Sequence, residues 1–151
     1  MTDAEIKAAL TTRDAVALTL WGEARSEPVE GIIGVANVIR HRQLKTGRTW
    51  KFVVHQRLQF SCWWPQGGEA NYSRVIGMAR RLVIGPPVVT SSWQECEWIA
   101  EGILLGRFRD NVGGARHYLT TALLEHNPPS WVKSGRPVAT IGHHTFIAGV
   151  S

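Results

Sequence analysis

Cysteine is scarce in this sequence of 151 residues, which contains only Cys62 and Cys96. Two thiols so far apart do not suggest the disulfide framework of a small secreted domain or the four-ligand set of a structural zinc site. Two reduced, partly buried thiols are the default for a chain made in the cytosol. A chain of this length can bury a core without cross-links, so we expect one domain over residues 1–151.

Long apolar runs are also missing. No stretch is long and apolar enough to span a membrane. The N-terminus, from Met1 to Lys7, is acidic at its start and leads into no apolar segment of the signal-peptide type. We therefore expect neither a secretory signal nor stable membrane insertion, and we expect synthesis in the cytoplasm.

The charges are unbalanced, since 17 Lys and Arg residues face 12 Asp and Glu residues and leave a net charge of +5. This excess favours an anionic partner, such as a bacterial envelope or a nucleic acid. The basic residues are scattered in pairs rather than gathered in a tail, which argues against a nucleic-acid-binding arm. Tryptophan, by contrast, is abundant with seven residues, and its flat face suits sugar rings as well as packed cores.

Helix caps and apolar residues at helical spacing predict a mostly helical chain. The predicted helices run over residues 2–10, from Thr11 to about residues 24–26, from Pro28 to about Leu44, from Ser73 to Ile84 and from a Ser92 cap to Gly106. Residues 49–55 fit a strand or a short helix, and residues 66–71 are predicted to be a loop. Short strands are predicted within 115–120, 138–141 and 143–147. This order indicates an α+β domain.

Glu23 stands at the end of an apolar helix. Residues 16–21 are apolar on nearly every helical face, which predicts a helix buried all round, and Pro28 predicts that this helix ends near residues 24–26. Burial and the negative end of the helix dipole would both raise the pKa of Glu23. A glutamic acid still protonated near neutral pH suits a general acid that protonates a leaving glycosidic oxygen. The alternative is a surface Glu at a fraying helix end.

Five blocks in order resemble the SleB-like cell-wall hydrolases, a family that includes spore-cortex-lytic enzymes and phage endolysins. The blocks are residues 21–28 with Glu30 and Gly31 downstream, then residues 59–63, 114–118, 129–131 and 141–146. The resemblance implies a lysozyme-like fold, no cofactor, and cleavage of peptidoglycan glycan strands between N-acetylmuramic acid and N-acetylglucosamine. In that family the glutamate of the Gly-Glu-Ala-Arg block is the catalytic acid, which here is Glu23.

Two mechanisms remain open. A hydrolase of the usual kind needs a second carboxylate, and Glu27 and Glu30 are candidates, although they are more simply acids in the first turn of the next helix. In a lytic transglycosylase, Glu23 protonates the leaving oxygen and then takes the proton from the muramic acid 6-hydroxyl. The spore-cortex enzymes resemble this second type, which we favour over a hydrolytic muramidase.

Substrate-binding candidates follow from the block around Gln59 and Ser61. These two polar side chains would hydrogen-bond an acetamido group, or satisfy buried backbone groups instead. Trp63 or Trp64 would offer a stacking face to a sugar ring. The alternative places Trp63 in the core, and Phe60 is expected there.

Histidines supply the remaining candidates. His117 and Tyr118 would line the cleft opposite Glu23, with the Tyr118 hydroxyl donating to the carboxylate, although a core histidine is an alternative for His117. A zinc site for a peptidoglycan amidase would use His117, His143, His144 and a nearby Glu. Adjacent residues of a strand point to opposite faces, so His143 and His144 are not expected to share one metal.

We thus expect a phage or prophage endolysin that acts on peptidoglycan in the cell wall. It would be a monomer without metal, cofactor or nucleic-acid partner, and it would leave the cytoplasm through a separate membrane pore. The alternatives are a metal-dependent peptidoglycan amidase and a non-catalytic module that binds glycan or nucleic acid. Trp131 is expected to be a packing anchor, and residues 142–146 are expected to close the fold.

Overall fold

The computed structural model describes residues 1–57, 59–86 and 88–151. Within these residues a helical lobe is followed by a small sheet. The helices are α1 (Asp3–Ala9), α2 (Thr12–Ala24), α3 (Val29–Thr46), α4 (Trp50–His55), α5 (Glu69–Ile84), α6 (Ser91–Leu104) and α7 (Thr121–His126). The strands are β1 (His117–Thr120), β2 (Arg136–Ile141) and β3 (His144–Ala148). Short 3₁₀ turns occupy Ser61–Trp63, Pro65–Gly67 and Ser130–Ser134.

Helix α2 is the centre of the helical lobe. It packs against α3, α4, α5 and α6, and residues 15–20 of α2 are all buried. The Thr11 hydroxyl caps its start by accepting a hydrogen bond from the Asp14 backbone N–H. At its end, Ala24 is the last helical residue and Pro28 adopts an extended conformation before α3 begins. The predicted helix buried on all sides is therefore confirmed.

The sheet joins the helical lobe through its middle strand. The strand order is β1-β3-β2, and both pairings are antiparallel. Phe146 on β3 is fully buried, and it packs so closely on α3 that a Cβ on Gly34 would lie 2.7 Å from its ring. Gly34 therefore lets the sheet approach α3 closely. The predicted α+β class, mostly helical with a few short strands, is confirmed.

Several boundaries differ from the sequence predictions. Of the two structures left open for residues 49–55, the helix forms over residues 50–55, and the Thr49 hydroxyl caps it by accepting from the Phe52 N–H. Helix α5 begins at Glu69, so the predicted loop over residues 66–71 is wrong in its second half. Thr90, not Ser92, caps α6 by accepting from the Trp93 N–H. Helix α7 and the three 3₁₀ turns were not predicted.

Both cysteines, Cys62 and Cys96, are buried and free. In the described ranges, no helix combines the length and the apolar character that crossing a bilayer requires.

Candidate active site

Glu23 lies in the last turn of α2 and is partly buried. The Ser61 hydroxyl, from the Ser61–Trp63 turn, donates to Oε2 of Glu23 over 3.4 Å. Burial raises the pKa of Glu23 above its ordinary value, although hydrogen bonds from the Cys62 backbone and from Ser61, and the charge of Arg42, act in the opposite direction. The carboxyl group is thus held toward its protonated form, as the sequence predicted.

Close contacts hold the Ser61–Trp63 turn beside Glu23. A Cβ on Gly22 would lie 2.6 Å from the Cβ of Cys62, so the turn packs directly on the α2 backbone. Trp63 is fully buried, and its indole N–H donates to the Thr19 hydroxyl on α2 over 2.8 Å. These contacts fix the position of the Ser61 hydroxyl relative to α2.

The prediction that Trp63 stacks on a sugar ring is therefore wrong, because the packing against α2 leaves none of its surface exposed. The alternative, that Trp63 and Phe60 are core residues, is correct. Trp64 is partly buried, and the Lys7 ammonium lies 4.5 Å from its ring centroid. That face of Trp64 already has a cation against it.

Two cavities lie in this region. The first, which we call the Arg25 cleft, has a volume of about 620 Å³ and is lined by Gly22, Glu23, Arg25, Ser26, Gly68, Glu69, Ala70, Asn71 and Arg74. The second, the Trp131 cleft, has a volume of about 360 Å³ and is lined by Arg42, Gln59, His117, Tyr118, Trp131, Val150 and Ser151. Glu23 belongs to the first cleft, and its charge interacts with Arg42 and Tyr118 of the second.

Arg42 and Gln59 form one wall of the Trp131 cleft. Nη1 of Arg42 donates to Oε1 of Gln59 over 3.0 Å, and Nε of Arg42 donates to the carbonyl oxygen of Arg116 over 2.6 Å. The guanidinium also lies over the Phe60 ring, 4.8 Å from its centroid. Gln59 therefore lines the cleft and positions Arg42, a residue that sequence reasoning missed although Arg40 and Arg42 form one of the basic pairs in the sequence.

His117 and Tyr118 follow each other on β1 and both line the Trp131 cleft. The His117 ring packs against Trp131 with 5.4 Å between centroids, so Trp131 is part of the cleft as well as a packing residue. The Tyr118 ring meets His144 edge to face at 4.9 Å. Burial and the charge of Glu23 raise the pKa of Tyr118 well above its usual range.

The predicted hydrogen bond from Tyr118 to Glu23 is not formed. In the part of the chain that the structure describes, the side-chain donor to the Glu23 carboxylate is Ser61. The reason lies in the sheet, because pairing of Tyr118 with Phe146 in β3 holds the tyrosine ring against His144.

Glu27 is engaged by the β2–β3 hairpin instead of facing the clefts. The backbone N–H of His143 donates to Oε1 of Glu27 over 2.7 Å, and Nδ1 of His143 lies 2.7 Å from Oε2. Burial alone would raise the pKa of Glu27, but the hydrogen bonds from His143 and the charges of His143 and His144 lower it overall. The interpretation of Glu27 as a helix first-turn acid is wrong, whereas Glu30 is an exposed residue in the first turn of α3.

His143 and His144 do not point to opposite sides of a strand. Both rings approach Glu27, with Nδ1 of His144 3.5 Å from Oε1. The prediction failed because His143 lies in the hairpin turn after Gly142, which has a φ of 59°, and only His144 belongs to β3. Among the residues that the structure describes, no three His, Cys, Asp or Glu side chains are arranged to hold a metal ion.

The fold and the site together define a small α+β domain in which a partly buried glutamate lines an open cleft, an arrangement suited to general acid chemistry. A family model described as cell wall hydrolase matches residues 26–147. The chain belongs to the cell wall hydrolase family. The matched range begins just after Glu23, so the role of Glu23 depends on its own surroundings.

The fold is also similar to a solved structure, the catalytic domain of the germination-specific lytic transglycosylase SleB from Bacillus anthracis. The TM-score is 0.62, and the sequences are 20% identical over 90% of this chain and 93% of that chain. At this identity the likeness establishes the fold. No curated protein sequence matches the chain.

Proposed function

We propose that this protein is a lytic transglycosylase that cleaves peptidoglycan glycan strands between N-acetylmuramic acid and N-acetylglucosamine. The observation that supports this most directly is Glu23, which lines an open cleft and whose pKa is raised by burial. Membership of the cell wall hydrolase family makes peptidoglycan the substrate, and the similar solved structure carries the description of a lytic transglycosylase.

The reaction needs one carboxyl group. Protonated Glu23 donates its proton to the glycosidic oxygen as the bond from that oxygen to C1 of the muramic acid breaks. The resulting carboxylate then accepts the proton of the 6-hydroxyl group while the 6-oxygen bonds to C1. This step closes a 1,6-anhydro ring and returns Glu23 to its protonated form, so no water is consumed.

The neighbours of Glu23 suit both steps. The Ser61 hydroxyl orients the carboxyl group and favours its charged form, as does the positive charge of Arg42. Burial favours the protonated form, so the two effects oppose each other and bring the two protonation states closer in free energy. Polar and aromatic side chains of the Trp131 cleft, namely Gln59, His117, Tyr118 and Trp131, would contact the sugars.

Neither Glu27 nor Glu30, the two second-carboxylate candidates from the sequence, lies where a muramidase would need it, which favours a single-carboxylate mechanism. Both oxygens of Glu27 are engaged by His143, and Glu30 is exposed on α3 and lines neither cleft. A muramidase, in which water replaces the 6-hydroxyl, remains the second candidate because the same acid would begin that reaction.

The proposed biological role is that of a phage or prophage endolysin. The resemblance of the sequence blocks to a family that includes endolysins supports this role, and the net charge of +5 suits an anionic envelope. We propose a monomer that is made in the cytoplasm and reaches the wall through a separate pore. Expression in a bacterial host should then lyse the cells only when a pore-forming protein is co-expressed.

The decisive experiment compares wild type with Glu23→Gln on purified peptidoglycan in EDTA, with mass spectrometry of the products. The substitution keeps the shape of the side chain and removes the acid, so the rate should fall at least about a hundredfold. Glu30→Gln is the matched control, since it removes an exposed carboxylate seven residues further on, and it should retain the wild-type rate.

The products separate the candidates. Anhydro-muramic ends identify the transglycosylase, and reducing muramic ends identify a hydrolase. Loss of activity in EDTA would instead indicate the metal-dependent amidase. Equal rates for Glu23→Gln and wild type would show that Glu23 is structural and that the proposal is wrong.

A further inference from the structure

Two arginines line the Arg25 cleft together with Glu23. Arg25 is held in place on one side, because its Nη1 donates to the Trp21 carbonyl oxygen and to Oδ1 of Asn71, each over 3.0 Å. Its guanidinium also lies over the Trp21 ring, 4.2 Å from the centroid. Arg74, on the first half of α5, is exposed at the same cleft. A guanidinium that is fixed on one side keeps its other N–H groups available to bind a ligand, and the side chain loses little further conformational entropy on binding.

Neither arginine has a carboxylate partner among the residues that the structure describes. Glu69 lines the same cleft but forms no ion pair there with Arg25 or Arg74. Burial lowers the pKa of Arg25, and the positive charge of Arg74 lowers it further. The two guanidinium groups therefore lie near enough to repel each other. Two like charges near each other in a cleft attract an anion, and a guanidinium presents parallel N–H groups that match a carboxylate.

The proposed substrate offers carboxylates close to the reacting bond. The two alternating sugars are N-acetylated and carry no charge on their rings, whereas the lactyl group of each muramic acid carries a peptide with free carboxylates. The bond that Glu23 is proposed to break starts at C1 of a muramic acid. The peptide attached to that muramic acid therefore lies near Glu23. A cleft of about 620 Å³ is large enough for a segment of such a peptide.

We infer that the Arg25 cleft binds a carboxylate of the stem peptide, through Arg25 and Arg74, so that strands carrying peptides are better substrates than bare strands. This inference rests on the proposed glycan cleavage and names the part of the substrate that the cleft recognises. The cleft thereby acts as a specificity site beside Glu23.

The test measures kcat/KM on two substrates, namely glycan strands with uncrosslinked stem peptides and the same strands after an amidase has removed the peptides. Wild type should prefer the peptide-bearing strands. Arg74→Gln should lower the ratio of the two kcat/KM values about five- to tenfold, as expected for loss of one charge-assisted hydrogen bond at an exposed site. Arg74→Lys, which keeps the charge, should recover part of the preference.

Arg81→Gln is the matched control. Arg81 is exposed two turns further along α5, outside the cleft, and its loss changes the net charge by the same amount. Its ratio should equal that of wild type, whereas equal shifts for Arg74→Gln and Arg81→Gln would mean that general charge attraction explains the effect and would overturn the proposal.

A third substrate identifies the source of the carboxylate. Bare strands expose the lactyl carboxylate but have no peptide. Strands whose peptide carboxylates have been amidated keep the peptide but expose no peptide carboxylate. Wild type should treat amidated strands no better than bare ones. A wild-type ratio of one on the first two substrates overturns this inference alone, whereas full activity of Glu23→Gln on both would overturn the proposed reaction.

Discussion

Replacing Glu27 by Gln tests whether this buried carboxylate holds the hairpin or takes part in the reaction. Glu27 is 8% exposed, and it accepts a hydrogen bond from the backbone N–H of His143 and lies 2.7 Å from the His143 ring nitrogen. A Cβ on Gly142 would lie 2.7 Å from Oε1 of Glu27, so the turn fits closely around the carboxylate. The glutamine variant keeps the shape of the side chain and removes the charge.

The expected loss of stability is moderate. A hydrogen bond to a charged acceptor contributes about 1.5–3 kcal/mol, and a neutral acceptor contributes roughly half as much, so the bond to the backbone N–H should weaken by about 1 kcal/mol. The His143 side chain is 83% exposed, so its ion pair with Glu27 is screened and adds at most about 1 kcal/mol. A total of about 1–2 kcal/mol corresponds to a Tm about 2–8 °C lower for a chain of this size.

The effect should depend on pH. Because the folded state lowers the pKa of Glu27 below its ordinary value of 4.5, its stabilising contribution is present above that pH and is lost as the pH falls through the lowered pKa. Thermal unfolding at pH 7 should therefore separate wild type from Glu27→Gln, and the difference should shrink in acid. Glu30→Gln, which removes an exposed carboxylate from the same region, should change Tm by less than about 2 °C.

Activity measurements complete the test. With Glu27 bound to the hairpin, kcat/KM of the folded Glu27→Gln variant should stay within about threefold of wild type. A loss of about a hundredfold with an unchanged Tm would make Glu27 the second carboxylate of a hydrolase and would refute the reasoning.

Two further predictions concern the end of α2. Gly22→Ala should destabilise the fold by about 1–3 kcal/mol and lower kcat, because the added Cβ meets the turn that carries Ser61. Gly77→Ala on α5, where an added Cβ meets nothing within 4 Å, is the control. Equal melting curves for the two variants would contradict the prediction. The raised pKa of Glu23 predicts that kcat/KM falls as the pH rises through that pKa, above the ordinary value of 4.5, since the protonated form is the acid. A pH profile without this falling limb would contradict the prediction.

Local patterns in the sequence were sufficient for helix α2 and its end. Helix α2 and the break before Pro28 follow from an apolar run and a proline, and both signals act within a few residues. The direction in which the pKa of Glu23 shifts was predicted for the same reason, because burial of the preceding turn raises the pKa of the carboxyl group at its end.

The sequence predictions that failed concern residues whose positions depend on contacts with residues distant in the chain. Trp63 is surrounded in sequence by polar and aromatic residues, and its core position depends on packing and a hydrogen bond with Thr19, 44 residues earlier. The partnership of Glu27 with His143 joins residues 116 positions apart. The folded clefts identify further site residues that the sequence does not, namely Arg42, Trp131 and the arginines of the Arg25 cleft. The sequence around each of them also fits a solvated surface or a packing role.

The order of strands in the sheet has a consequence for folding. Strand β3 lies between β1 and β2 but follows both in the chain, and pairs with each of them. Neither β1 nor β2 has a strand partner until residues 144–148 have been synthesised. Tyr118 on β1 gains its contacts with His144 and Phe146 only at that stage. On a ribosome that releases the chain from its N-terminus, the helical lobe can therefore assemble early, and the wall of the Trp131 cleft that β1 carries forms last.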